Sequence, residues 1–122
     1  MFEILMDKTI CLTRGDIASI EVAASQEDGS PFVFRKGDVV RLTVYKENGC
    51  GCVVLKKDVK VETATEVVTI QLNKRDTCFC DIINEPVDYW YDIKLNPETE
   101  PQTIIGYDGE GAKVFRLFPE GR

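Results

Sequence analysis

The chain has 122 residues, 15 basic and 21 acidic side chains, a net charge of −6 and 43% hydrophobic content. That length suits one domain of roughly 100–150 residues, and the composition is too apolar for a disordered segment. The acidic balance repels phosphate backbones and anionic membrane surfaces, so neither nucleic acid nor membrane is expected as a partner. No segment reaches the roughly 20 apolar residues that span a bilayer. Residues 1–8 carry Glu3 and Asp7 and lack a basic region followed by an apolar one, so they do not read as a signal peptide. Synthesis in a reducing cytoplasm is the default expectation, and an odd count of five cysteines agrees with it.

In chain order, the dominant signal is period-two alternation of β-branched and aromatic residues. A first short strand is predicted over Thr9–Thr13. Ile17–Ala23 places Ala18, Ile20 and Val22 on one face and Ser19 and Glu21 on the other. Val39–Lys46 sets Val40, Leu42 and Val44 against Arg41, Thr43 and Tyr45. Val53–Lys57 is a weaker strand. Val67–Leu72 points Val68, Ile70 and Leu72 inward. Val87–Leu95 is the clearest, with Val87, Tyr89, Tyr91, Ile93 and Leu95 opposite Asp88, Trp90, Asp92 and Lys94. Thr103–Tyr107 and Ala112–Phe118 close the series. No window repeats apolar residues at helical spacing over three turns. The pattern predicts an all-β chain of about 7–8 short strands, at the spacing expected of a two-sheet sandwich or a small barrel, forming one domain over residues 1–122.

The breaks carry turn chemistry. Glu27-Asp28-Gly29-Ser30-Pro31 reads as a loop, Glu47-Asn48-Gly49 as the start of a hairpin connection, and Asp108-Gly109-Glu110-Gly111 as the link between the last two strands. One small echo runs through the chain: Arg14-Gly15-Asp16, Lys36-Gly37-Asp38 and Lys74-Arg75-Asp76. The first two directly precede a strand. They predict tight turns in which glycine supplies backbone freedom and aspartate bonds a nearby backbone N–H.

The residues that carry most catalysis are missing. There is no histidine, the usual general base and commonest metal ligand. None of Ser19, Ser25 and Ser30 sits in a nucleophile pattern, and there is no P-loop or dinucleotide fingerprint. A non-catalytic chain is therefore expected. Cys50-Gly51-Cys52 and Cys78-Phe79-Cys80 form two C-x-C pairs, with Cys11 apart. Four thiolates could hold zinc, but alternate residues of a strand lie nearly 7 Å apart, too far for one tetrahedral site unless both pairs curl. Free thiols acting as small hydrophobes are the expected state, with no cofactor; structural zinc on Cys50, Cys52, Cys78 and Cys80 is the alternative. Arg14-Gly15-Asp16 is also a tripeptide used by adhesion ligands, which would require a protruding loop. Trp90 is the only tryptophan. Alternation places it opposite Tyr89 and Tyr91, so it faces outward, as an interface anchor or under a covering loop. Tyr45 and Tyr107 join it as the expected interface. Tyr89, near the start of a late strand, could instead form a hydroxyl-to-backbone corner.

The order of these motifs carries a resemblance. The chain runs ICLTRGDIASIEV, EDGSPFVFRKGD, VVRLTVYK, VVTIQLNKRDT, VDYWYDIKL, TIIGYDG and AKVFRLF. It resembles the small β-sandwich proteins of phage and prophage tails and baseplates in Gram-positive bacteria, in particular the N-terminal domain of the baseplate upper protein family. The shared features are a TRGD-like turn, a GD-led strand, a DT after the middle strand, a Y-x-YDI strand and a closing F-x-L strand, from Ile10 to Phe118. The two C-x-C pairs depart from that pattern, as does Asn84-Glu85-Pro86, where the family has a glycine. The resemblance implies a non-catalytic, immunoglobulin-like antiparallel β-sandwich that serves as a structural module of a virion, whose partners are other tail proteins or further copies of itself. A small ligand- or carbohydrate-binding sandwich using Trp90 as a stacking platform is the alternative reading.

Overall fold

The computed structural model of the chain describes residues 2–4, 9–26, 28–46, 53–78, 85–99, 101–105 and 113–119. Among them are nine strands and one short helix: β1 (Phe2–Ile4), β2 (Ile10–Thr13), β3 (Ala18–Val22), β4 (Val39–Tyr45), β5 (Val53–Lys60), β6 (Val68–Leu72), α1 (Lys74–Thr77), β7 (Val87–Leu95), β8 (Gln102–Ile105) and β9 (Lys113–Phe118). The larger sheet runs β1-β2-β9-β7-β4-β5, with β8 paired to the C-terminal half of β7; the smaller sheet is β3-β6. The two form an all-β, sandwich-like fold around one core.

That core follows from the alternation. Ala18, Ile20 and Val22 of β3 pair with Leu72, Ile70 and Val68 of β6, and all six are buried. Across from them lie Val40, Leu42 and Val44 of β4, Tyr89, Tyr91, Ile93 and Leu95 of β7, and Phe115 and Leu117 of β9. Phe34, in the connection before β4, is fully buried among them. Removing such side chains from water is the main favourable term, about 1.5–3 kcal/mol for each large aliphatic or aromatic group.

Seven of the eight expected strands match observed ones to within two residues at each described end, and β7 matches residue for residue. Two differences have simple causes. Strand β5 runs three residues past Lys57, because Asp58, Val59 and Lys60 pair with Arg41, Val40 and Val39. Strand β1, absent from the sequence-based series, exists by pairing with β2. Every pairing is antiparallel except β2–β9, which is parallel. A parallel neighbour requires a long crossover, and here the whole of β3 to β8 supplies it. The Asn48-Gly49 turn and the Asp108–Gly111 link lie outside the described residues.

The turn echo is realised twice. The Asp16 N–H donates to the Thr13 carbonyl at 3.0 Å and the Asp38 N–H to the Arg35 carbonyl at 3.0 Å, so both are four-residue turns. Gly15 (φ 88°) and Gly37 (φ 96°) hold the third position, where a side chain would clash with its own backbone. The Asp38 carboxylate accepts from the Arg35 N–H at 2.9 Å. The third copy does something else. Lys74-Arg75-Asp76 is the first turn of α1, with Asn73 as its cap: the Asn73 side chain accepts from the Asp76 N–H, and Asp76 accepts from the Asn73 N–H, both at 2.9 Å.

Helix α1 ties the first turn in place. Thr77 is 0% exposed. Its hydroxyl accepts from the Gly15 N–H at 3.1 Å and donates to the Asp16 carbonyl at 2.8 Å, with the Lys74 carbonyl at 3.2 Å. The Arg14 guanidinium adds a bond to the Cys78 carbonyl at 3.3 Å. Arg14-Gly15-Asp16 is thus half-buried against α1 and does not protrude as an adhesion loop would.

At the other end of the sandwich, Asn96 takes a left-handed conformation (φ 48°) that its short polar side chain tolerates. It accepts from the Val39 N–H at 2.9 Å and donates to the Asp38 carboxylate at 3.2 Å, joining the second turn to the end of β7.

Two stability outcomes are expected. Thr77→Val should lower the unfolding free energy by about 1–3 kcal/mol, because the Gly15 N–H loses the acceptor it has among the described residues while packing volume is kept. Thr77→Ser should retain most of it. Gly37→Ala meets no neighbour yet must hold φ at 96°, so it should cost about 1–2 kcal/mol. Urea unfolding measures all three; equal midpoints for Thr77→Val and the wild type would disprove the tie.

Candidate functional site

Alternation along β4, β7 and β9 gives the larger sheet a second, outward face. Register decides which of its side chains meet. Tyr45 of β4 lies directly opposite Trp90 of β7, and Trp90 lies opposite Val114 of β9. The three make one row across three adjacent strands, all half-buried. The register shift between Val44 and Tyr45 leaves Val54 of β5 as an extra residue beside this row.

Ion pairs flank the row on both sides. Asp88 sits opposite Arg116, which holds it in a two-pronged contact at 2.7 and 3.3 Å. On the other side, Arg41 grips its cross-strand partner Asp58 at 2.7 and 3.0 Å and reaches Glu98 at 2.8 Å. The Asp58 carboxyl is held below its usual range, first by the bonds from Arg41 and against a smaller opposing effect of burial. Flat, two-pronged arginine–carboxylate contacts hold side chains in one geometry better than lysine pairs do.

Asp92 sits next to the row, opposite Thr43, and is the least satisfied group on the face. The Tyr45 hydroxyl donates to its Oδ2 at 3.0 Å, a diagonal contact across the two strands. Its Oδ1 is buried and accepts no hydrogen bond among the described residues. Burial pushes the Asp92 carboxyl above its ordinary value, against the pull of the Tyr45 hydroxyl and the Lys94 ammonium. Burial also raises the Tyr45 phenol, and the negative charge of Asp92 adds to this. Thr43 is only 7% exposed, although the strand pattern sets it among outward residues.

The expected interface residues are therefore partly assembled. Tyr45 and Trp90 are neighbours, whereas Tyr107 lies outside the described residues. Sequence reasoning did not single out Val114 or Asp92, because their place depends on which strands pair and in what register. Among the cysteines, Cys11 is buried and Cys78 half-buried, both as free thiols, while Cys50, Cys52 and Cys80 lie outside the described residues. Among the described residues, no three His, Cys, Asp or Glu side chains group as a metal site, and no helix is long and apolar enough to cross a membrane. Tyr89 is 4% exposed and belongs to the core. Lys57 has an unexpected place. It lies on the inward side of β5, opposite Leu42, and its ammonium meets Asp76 of α1 at 2.8 Å. Burial raises the Asp76 carboxyl, but Lys57 and the Asn73 N–H together outweigh it and leave it below its usual value.

Comparison of the chain with protein-family models, with curated proteins and with solved structures returned no match.

The raised Asp92 carboxyl has a definite sign in stability. An acid whose pKa is higher folded than unfolded favours the folded state while protonated, and that advantage is lost as pH rises through the folded value. Wild type and Asp92→Asn should therefore change in relative stability from about the unperturbed value of 3.8 upward, with the wild type losing ground toward neutral pH. Urea midpoints of both proteins between about pH 3 and pH 8 measure this. A difference that stays constant over the range would contradict the assignment.

Proposed function

We propose that this chain is a non-catalytic structural module that works by protein–protein contact through the outward face of its larger sheet. The row Tyr45–Trp90–Val114, bordered by the Asp88–Arg116 and Arg41–Asp58 pairs, carries this reading. Protein interfaces concentrate aromatic side chains at a desolvated centre and place charged groups at a polar rim. Tryptophan, tyrosine and arginine are also the residues most often found as energetic anchors. The ion pairs at the rim are already satisfied within the chain, so their desolvation by a partner is limited to their outer edges.

The setting we propose is a phage or prophage tail or baseplate, with other tail proteins or a second copy as the partner. Its support is the ordered series of motifs. The TRGD and KGD segments are matching four-residue turns that each lead into a strand, and the YDI strand is the central β7. This reading places the protein in the bacterial cytoplasm during synthesis and in the virion after assembly.

Particles from an induced lysogen test the reading. The protein should co-purify with identified tail components in the particle fraction. Trp90→Asp should reduce its incorporation about tenfold or more while leaving the circular-dichroism spectrum unchanged. A protein absent from purified particles would refute the tail assignment, and a folded Trp90→Asp variant incorporated at the wild-type level would refute the docking face.

A further inference from the structure

Within the outward face, Asp92 is a carboxylate that no described cation meets. It follows Trp90 by two residues on the same side of β7 and lies diagonal to Tyr45, so it belongs to the docking surface. Its Oδ2 accepts from the neutral Tyr45 phenol at 3.0 Å. Its Oδ1 is sealed from solvent and has no donor among the described residues.

The cations around it are committed or distant. On β4, Thr43 lies directly opposite, and Arg41, two residues away, is held by Asp58 and Glu98. On β5, Lys56 lies beyond Thr43 and is exposed. On β9, Arg116 is held by Asp88, and Lys113 is buried opposite Tyr91 on the core side. Strand β8 carries no ionisable residue. Lys94, two residues along β7, favours the carboxylate but joins none of the ion pairs among the described residues.

Tyr45, Trp90 and Asp92 are each half-buried, so the carboxyl keeps a share of its water in the free chain. A partner seated on the row Tyr45–Trp90–Val114 removes that water. The loss disfavours an anion far more than a neutral carboxyl. The neutral acid also gains an O–H donor that the anion lacks.

We propose that docking on the outward face takes up one proton at Asp92, so that the contact tightens as pH falls. This linkage rests on the outward face being the docking surface. The proton comes from solvent, and Tyr45 keeps its own proton and its bond to Oδ2. Burial already raises the Asp92 carboxyl in the free chain, and a covering partner raises it again. Affinity is therefore highest below the free value, which itself lies above 3.8, and falls as pH rises through the docked value. The chain has no histidine, so no imidazole of its own titrates over that range. A partner that brought a lysine or arginine to Asp92 would reverse the sign, because an opposite charge favours the carboxylate.

The rate at which the protein leaves purified particles of an induced lysogen tests this. Particles carrying wild type or Asp92→Asn are held at values between about pH 5 and pH 8 and pelleted at intervals, with a second tail component as the internal reference. Wild-type release should be at least about fivefold slower at the acid end than at the alkaline end. Asp92→Asn carries no charge and still offers Tyr45 an acceptor. Its release should not vary with pH, and at the alkaline end it should be slower than that of the wild type; circular dichroism verifies its fold. Equal pH profiles for the two proteins, or wild-type release that slows as pH rises, would overturn the inference and leave the docking face in place. A folded Trp90→Asp variant incorporated at the wild-type level removes the docking face, and this linkage with it.

Discussion

The Thr77 hydroxyl joins the two places where the chain passes between its sheets at one end of the sandwich. One passage is the Thr13–Asp16 turn from β2 into β3; the other is α1, leading from β6 toward β7. Each passage breaks a strand ladder and strands backbone polar groups near the core, where an unpaired group is costly. A single buried hydroxyl serves both, accepting from the Gly15 N–H and donating to the Asp16 carbonyl. With this end held, the passage from β2 into β3 and the passage from β6 toward β7 are fixed to each other. At the opposite end, Asn96 ties the Arg35–Asp38 turn that leads into β4 to the end of β7, within the larger sheet.

Strand β7 then carries the consequences outward. Its nine residues pair with β4, β9 and β8, so every feature with a proposed role is attached to it. The inner residues Tyr89, Tyr91, Ile93 and Leu95 anchor the core. Trp90 and Asp92, between them, face the other way and meet Tyr45. The C-terminal end of the strand holds β8 and, through Asn96, the turn that presents Arg35. A central strand with one face in the core gives the proposed outward contact fixed geometry, which limits the entropy lost when a partner is bound. The buried, half-satisfied Asp92 is the exception, a local cost within an otherwise paired face.

Much of the fold was legible because strand alternation and turn chemistry are local. The β7 boundaries, the inward sets of β3, β4 and β6, and the glycines at Gly15 and Gly37 all follow from short windows of sequence. The same locality limits the reading. Lys74-Arg75-Asp76 repeats the pattern of the two turns, yet the capping exchange between Asn73 and Asp76 makes it a helix. Thr43 lies on the outward side of its strand yet is covered, and the inward Lys57 finds Asp76, outcomes set by neighbours distant in sequence. Tyr45 and Trp90 were identifiable as outward aromatics; their direct opposition, and the addition of Val114, were not.

The sequence by itself determined that this is an all-β chain, which side of β3, β4, β6 and β7 enters the core, and where the backbone turns before β3 and β4, since these depend on residue periodicity and on glycine and aspartate at fixed positions. Only the tertiary structure decided the register of β4 against β7 and β9, the parallel closure of β2 on β9, and the open edge of β8. Pairing of strands far apart in the chain is selected by the joint burial of both sheets, and no local window contains that information. The outward face is a product of that selection.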